Sequence, residues 1–206
     1  MYYDPILENH GMRYNPFKAL VTPRPIGWIS TLDKSGNANL APYSFFNAVA
    51  ADPPYVVFGV GGHNEERPRK DSAVNAEETG EFVVNIVGLA HADQMNRTAH
   101  WVDPGVDEFE FAGLEKEPSV KVAVPRVKGA PAHLECIYDR TVLLPSRIDG
   151  FPNSVVFGRV VGVHIDDSVI NEDGRVDVLL YRPVARMGYL DYTSIGQLIQ
   201  LEKYQI

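Results

Sequence analysis

The sequence has very little cysteine and no long apolar run. Cys136 is the only cysteine, which excludes a disulfide framework within the chain and a cysteine-rich metal site. A membrane-spanning helix needs about 20 consecutive apolar residues, and no segment approaches this, so we expect no membrane partner. Residues 1–17 lack a basic start followed by an apolar core, so we expect no signal peptide and a cytoplasmic protein.

Positive charge is also scarce in this sequence. The chain has 19 Lys and Arg against 27 Asp and Glu, which gives a formal net charge of −8. An acidic balance argues against nucleic acid or an anionic membrane as the main partner. It still allows a small anionic ligand to be held by a local cluster of cations.

Signatures of hydrolytic and metal-dependent enzymes are missing. His133 and Glu135 resemble the start of a zinc deaminase signature, but the Pro-Cys-x-x-Cys that must follow is absent. No serine nucleophile elbow occurs. The glycines at 59–62 follow a strand, but the third glycine of a dinucleotide fingerprint is not in its place. These absences exclude hydrolysis and a doubly wound dinucleotide-binding fold.

Strand patterns dominate what is present. At 206 residues, 45% of them hydrophobic and 22% charged, the chain suits one globular domain spanning 1–206. Strands outnumber helices and do not alternate with them, so a mainly β fold with an antiparallel barrel is favoured over a doubly wound sheet. The predicted strands are 26–32 and 38–41, joined as a hairpin, then 55–60, 81–87, 132–138 and 154–165, the last bent at Gly158 or Gly162.

One helix carries the strongest local signal of a binding site. Residues 71–79 read as a helix that ends at Gly80, with Asp71 or Ser72 as the capping residue. Arg67, Arg69 and Lys70 precede it. Because a helix start offers unpaired N–H groups and a positive dipole end, this is a natural anion site. An ordinary capped helix after a solvated loop explains the same pattern.

Three other segments each allow a functional interpretation and a purely structural one. Ser44, Phe45, Phe46 and Asn47 follow a strand end, where they could offer backbone donors to a heterocycle or form a turn pinned by core phenylalanines. Ser30 and Thr31, at another strand end, are equally ambiguous. The acidic segment 101–108 suits either a lid over a substrate site or a surface loop.

Read in order, these pieces resemble the flavin reductase-like, FMN-binding split-barrel family. The resemblance covers roughly residues 15 to 195. Its eight blocks are 22–31 (TPRPIGWIST), 39–47 (NLAPYSFFN), 70–72 (KDS), 78–85 (ETGEFVVN), 105–109 (GVDEF), 134–136 (LEC), 158–164 (GRVVGVH) and 182–186 (RPVAR).

The resemblance implies a Greek-key split barrel with short helices, dimerising so that FMN lies near the subunit interface. It implies that Ser30 and Thr31 contact the ribityl chain or phosphate, and that Lys70, Asp71 and Ser72 form the phosphate end. Ser44, Phe45, Phe46 and Asn47 are expected to hold the isoalloxazine edge, largely through backbone groups. Arg186 is expected either to reach the flavin or to brace the barrel.

The resemblance also implies chemistry carried by the flavin and not by an acid–base pair. The leading hypothesis is an NAD(P)H-dependent flavin oxidoreductase that passes electrons to a small-molecule or protein acceptor. A second is a flavoredoxin-like FMN carrier that does not use NADH or NADPH directly. A third is a relative that binds another planar ligand. Residues 185–192 (ARMGYLDY) depart from the carboxy-terminal pattern of two-component reductases.

Overall fold

The structure is a computed structural model that describes residues 1–61, 69–100, 102 and 105–202. Strands dominate these residues, and the helices are short. The strands are β1 Arg24–Pro25, β2 Gly27–Leu32, β3 Ala38–Tyr43, β4 Phe46–Ala51, β5 Pro54–Val60, β6 Glu81–Ile86, β7 Lys116–Glu117, β8 Arg126–Val127, β9 Ala132–Leu144, β10 Asn153–Ile165, β11 Val184–Gly188 and β12 Asp191–Ser194; the α-helices are α1 Phe17–Leu20, α2 Asp71–Thr79, α3 Ala92–Arg97, α4 Glu108–Ala112 and α5 Val178–Tyr181.

Seven strands form one antiparallel sheet in the order β3-β2-β6-β9-β10-β5-β4. A smaller sheet has the order β1-β11-β12, and β7 pairs with β8. The strand β1 belongs to the small sheet and β2 to the large one, with only Ile26 between them. The small sheet is therefore tied directly to one side of the large sheet.

The large sheet closes on itself because its two edges are joined by a very short link. β3 and β4 are the opposite edge strands, yet only Ser44 and Phe45 separate them in sequence. The three Cα steps from Tyr43 to Phe46 span at most about 11 Å. The sheet must therefore curl until the edges meet, and the Gly59 N–H donates to the Phe45 carbonyl oxygen at 2.6 Å, which extends the pairing of β4 with β5 into the link. The result is a barrel.

The barrel interior is filled by large apolar side chains. Phe58 and Phe82 are completely buried, and their ring centroids lie 5.3 Å apart. Ile29 and Val84 belong to the same cluster. Cys136 also lies in this cluster without exposed surface, and burial raises the pKa of its thiol. A thiol buried in such apolar surroundings is chemically inert while the barrel stays closed.

Glycine in β10 makes room for the core. A Cβ atom on Gly158 would lie 2.2 Å from Cζ of Phe82, a distance that no side chain tolerates. The pairing of β10 with β9 shifts register at Gly158 and again before Gly162. Irregular pairing at both glycines agrees with the bend predicted there, and the close approach of the Phe82 ring explains why residue 158 is a glycine.

Most predicted elements are confirmed, and the mainly β split-barrel fold is the observed one. The hairpin of β2 and β3 and the helix α2 lie where the sequence places them, and Gly80 ends α2 with a φ of 79°. β4 was missed, because its sequence FNAVAA lacks the β-branched and aromatic density that marks the other strands. Within the described ranges, no helix is long and apolar enough to cross a membrane.

Candidate functional site

The N-terminus of α2 has no side-chain cap. Lys70 is the N-cap residue in extended conformation, and it makes no capping hydrogen bond. The prediction that Asp71 or Ser72 caps the helix is wrong, since both lie inside its first turn. The Ser72 hydroxyl donates instead to Asn39 Oδ1 at 2.8 Å. The helix start therefore keeps the positive end of its dipole available to an anion.

A first cavity lies against this helix start. Lys70, Asp71 and Ser72 line it together, as expected for a single site, and Arg69 lies beside them. Arg69 forms an ion pair of 2.5 Å with Glu77 of α2, so its positive charge is partly neutralised within the protein. Arg67 lies outside the described residues. The remaining lining residues are Asn39, Ala41, Pro42, Tyr43, Thr98, Ala99, His100, Val102 and Glu108.

A buried polar network centred on Asn39 supports the first cavity. Asn39 Oδ1 accepts from Ser72 at 2.8 Å, and a longer contact of 3.5 Å joins it to the Thr31 hydroxyl. Thr31 Oγ1 in turn accepts from Asn75 Nδ2 at 3.1 Å. Residues of β2, β3 and α2 are thus linked through hydrogen bonds, and the one between Asn75 and Thr31 is buried, where an unpaired partner costs most.

Glu108 completes this network from α4. Its carboxylate accepts from Asn39 Nδ2 at 2.8 Å and from the Leu40 N–H at 3.0 Å. Burial raises the pKa of Glu108, and the charge of Asp71 adds to that effect. Glu108 is 5% exposed, so this end of segment 101–108 is anchored in the protein and does not form a lid. Residues 101, 103 and 104 lie outside the described residues.

Ser30 and Thr31 lie inside the protein and not on the cavity surface. Both are completely buried. The Ser30 hydroxyl donates to the Pro125 carbonyl oxygen at 2.7 Å and accepts from Asn85 Nδ2 at 3.2 Å. The direct contact with a ribityl chain or phosphate expected for these two side chains is therefore not available in this structure. The physical reason is that both hydroxyls satisfy buried partners within the barrel.

A second cavity of about 410 Å³ adjoins the first, because Pro42 and Ala99 line both. Two expected site residues, Ser44 and Arg186, lie here. The Arg186 guanidinium donates to the Tyr189 carbonyl oxygen, and its Cζ lies 4.3 Å from the centroid of the Tyr192 ring. The other lining residues are Asn15, Lys18, Arg24, Ile26, Tyr189 and Tyr192.

The aromatic segment after Ser44 points in several directions. The Phe45 ring lies beside Arg24 Cζ at 5.7 Å. The Phe46 ring lies so close to Gly27 that a Cβ there would be 2.6 Å away, and it lines a third, apolar cavity. Asn47 is exposed on β4, where its Oδ1 accepts from the Ala48 N–H at 3.0 Å. The side chains of these residues therefore lie apart, and the expectation that their backbone groups hold a ring edge stays a prediction.

Sequence reasoning overlooked several residues of these cavities. Asn39 and Glu108 stood inside matched blocks but received no role, and only the isolated polar position of Asn39 between Ala38 and Leu40 hinted at one. Lys18 and Arg24 were also missed. Arg24 stands between two prolines, which is an unusual place for a buried cation and could have drawn attention to it.

Comparisons with known proteins agree with this architecture. The model of the flavin reductase-like domain matches residues 20–187. An uncharacterized protein of Aquifex aeolicus is 37% identical over 85% of this chain and 86% of its own length. Nitrilotriacetate monooxygenase component B from Bacillus cereus is 32% identical, with 98% of each chain covered and a TM-score of 0.88. The Pseudomonas fluorescens 2-nitrobenzoate 2-nitroreductase NbaA is 29% identical over 98% of this chain and 95% of its own, with a TM-score of 0.82. The chain belongs to the flavin reductase-like family.

We expect Thr31→Val to destabilise the protein without any ligand present. The substitution keeps the shape of the side chain but leaves the buried Asn75 Nδ2 without its acceptor, which costs about 1–3 kcal/mol. Urea denaturation of the flavin-free protein measures this loss. Thr193→Val, on the exposed surface of β12, is the matched control and should change stability by less than about 0.5 kcal/mol. Unchanged stability combined with weaker FMN binding would show that Thr31 serves the flavin directly.

Proposed function

We propose that this protein binds FMN and works as an NAD(P)H-dependent oxidoreductase. The observation that carries the proposal is the uncapped start of α2, which faces a cavity lined by Lys70 and Ser72. Family membership supports a flavin as the ligand. The names of two similar proteins, a monooxygenase component and a nitroreductase, support an oxidoreductase role.

The first cavity fits the phosphate of FMN by its donors. Lys70 supplies a cation, Ser72 a hydroxyl, and the start of α2 the positive end of its dipole. Asp71 lines the same cavity, and its negative charge repels a phosphate. The three groups named above must outweigh this repulsion. Glu108 opposes it less, because its oxygens are bonded to Asn39 and Leu40. A single phosphate site favours FMN over FAD.

The second cavity continues from this phosphate end past Pro42 to Ser44. A flavin whose phosphate lies in the first cavity would place its ring toward the second. Bound FMN supplies hydride and electron transfer between a donor and an acceptor. The chain contributes the position of the cofactor and the electrostatics around it. NADH or NADPH is the proposed donor, and a small molecule or a protein is the proposed acceptor. The alternative is an FMN carrier that exchanges electrons with proteins and does not use NAD(P)H.

The absorbance spectrum separates these two functions. Purified protein reconstituted with FMN should show the flavin band at about 450 nm, and anaerobic NADH or NADPH should bleach it. Released cofactor should run as FMN on chromatography. Stoichiometric FAD, or no flavin uptake, would contradict the cofactor assignment. Bleaching by dithionite but by neither nicotinamide would favour the carrier.

If Lys70 contacts the phosphate, its removal should lower the affinity for FMN but not for riboflavin. Lys70→Ala removes one charge-assisted contact, worth about 1.5–3 kcal/mol, so FMN should bind roughly 10- to 100-fold more weakly. Riboflavin lacks the phosphate and should lose almost nothing. Ser72→Ala should show the same selectivity more mildly. Flavin fluorescence titration measures both ligands.

Lys34→Ala is the matched control for Lys70→Ala. Lys34 is exposed and pairs with Glu78 at 3.0 Å, near the opposite end of α2. Its removal lowers the net charge by the same amount and should leave both affinities within about twofold. Equal losses for FMN and riboflavin in Lys70→Ala would mean that Lys70 acts through folding or ring contacts.

We also propose that the protein is a homodimer. Support comes from apolar surface along β4, where Val49 is 53% exposed, and from the third cavity of about 550 Å³ beside Phe46. An uncovered apolar edge strand invites pairing with another chain, and a two-fold dimer covers the same patch on both subunits. Light scattering at micromolar concentration should give twice the chain mass. A monomer that retains FMN would contradict this.

A further inference from the structure

The second cavity concentrates positive charge. Lys18, Arg24 and Arg186 all line it, whereas no Asp or Glu does so among the residues that the structure describes. Over the same residues, none of the three cations forms an ion pair. The chain as a whole carries a net charge of −8. Three uncompensated cations at one cavity therefore stand out against the rest of the molecule and attract anions.

Arg24 shows that this arrangement costs free energy in the protein alone. It is 7% exposed, and its Nη1 donates to the carbonyl oxygens of Lys18 and Val21. Its buried Nε has no acceptor among the described residues. Burial lowers the pKa of Arg24, and the charge of Arg186 lowers it further. A buried guanidinium without a counter-ion is unfavourable, and a bound anion offsets that cost.

Aromatic rings surround these cations. Phe45 lies 5.7 Å from Arg24 Cζ and 6.0 Å from Lys18 Nζ, and Tyr192 lies 4.3 Å from Arg186 Cζ. The cavity volume of about 410 Å³ falls within the roughly 300–1,000 Å³ typical of small-molecule sites. Flat apolar surfaces beside fixed cations complement a ligand that combines an aromatic ring with a carboxylate.

We propose that the part of the second cavity lined by Lys18, Arg24 and Arg186 is a subsite for an aromatic carboxylate substrate, held beside a flavin ring that enters the cavity past Pro42 and Ser44. The position beside the flavin rests on the proposed function, whereas the recognition of an anion rests on the cations alone. Lys18 and Arg186 attract the carboxylate, Arg24 adds its buried charge, and the rings of Tyr189 and Tyr192, which line the cavity, border the aromatic part of the ligand.

Calorimetry with benzoate and benzamide tests this subsite, because the two probes have nearly the same shape and differ in charge. In FMN-loaded protein, benzoate should bind at least ~10-fold more tightly than benzamide, and added salt should reduce the difference. Lys18→Gln should weaken benzoate binding ~5-fold, as suits a partly solvated charge, and leave benzamide unchanged. Arg13→Gln is the matched control: Arg13 is exposed in the same segment, against Tyr14, and does not line the cavity.

The remaining outcomes separate this subsite from the flavin site. Equal affinities for benzoate and benzamide would overturn the subsite. Benzoate binding that FMN abolishes would also overturn it, because the cations would then belong to the cofactor. Binding of inorganic pyrophosphate without benzoate would replace the aromatic carboxylate by a dinucleotide donor. Selective benzoate binding in a protein that takes up no FMN would support the anion site and contradict the proposed function.

Discussion

The two-residue link between β3 and β4 is the constraint on which the site depends. Because Ser44 and Phe45 must join opposite edges of one sheet, the chain turns sharply at the place where the barrel closes. Pro42, just before the link, lines the first and second cavities, and Ser44 lines the second. Phe46, just after it, faces the third. One topological requirement therefore distributes alternate residues of a short segment, 42–46, over three neighbouring cavities.

Polar groups under the first cavity are arranged in two layers. The lower layer consists of the buried Thr31 and Asn75, which are bonded within the chain, and half-buried Asn39, which also lines the cavity, connects to it through Thr31. The upper layer, with Lys70 and the start of α2, borders the cavity. Ser72 belongs to both, since it lines the cavity and donates to Asn39. Such a support holds binding groups in a fixed position before a ligand arrives, which reduces the entropy lost on binding.

The fold was more predictable from the sequence than the site. Strand alternation and turn residues locate β2, β3 and α2, because these signals are local. The network around Asn39 joins residues far apart in sequence, such as Glu108, and no local pattern encodes such a contact. Ser30 and Thr31 illustrate the limit: their motif indicates the family correctly, but only the three-dimensional structure shows that both hydroxyls are enclosed.

Because Cys136 is buried in the barrel, the reactivity of its thiol reports on how stable the closed barrel is. It is the only thiol in the chain, and it lies between the two faces of the closed sheet without exposed surface. A thiol reagent can reach it only when the strands separate, so the labelling rate at a given reagent concentration measures how often the barrel opens. Ligands that bind only the closed form lower the population of the open form, and so the labelling rate, by the same factor by which they raise the closed-to-open equilibrium constant. The protein therefore permits its opening equilibrium to be followed under native conditions, without denaturant and without an introduced probe.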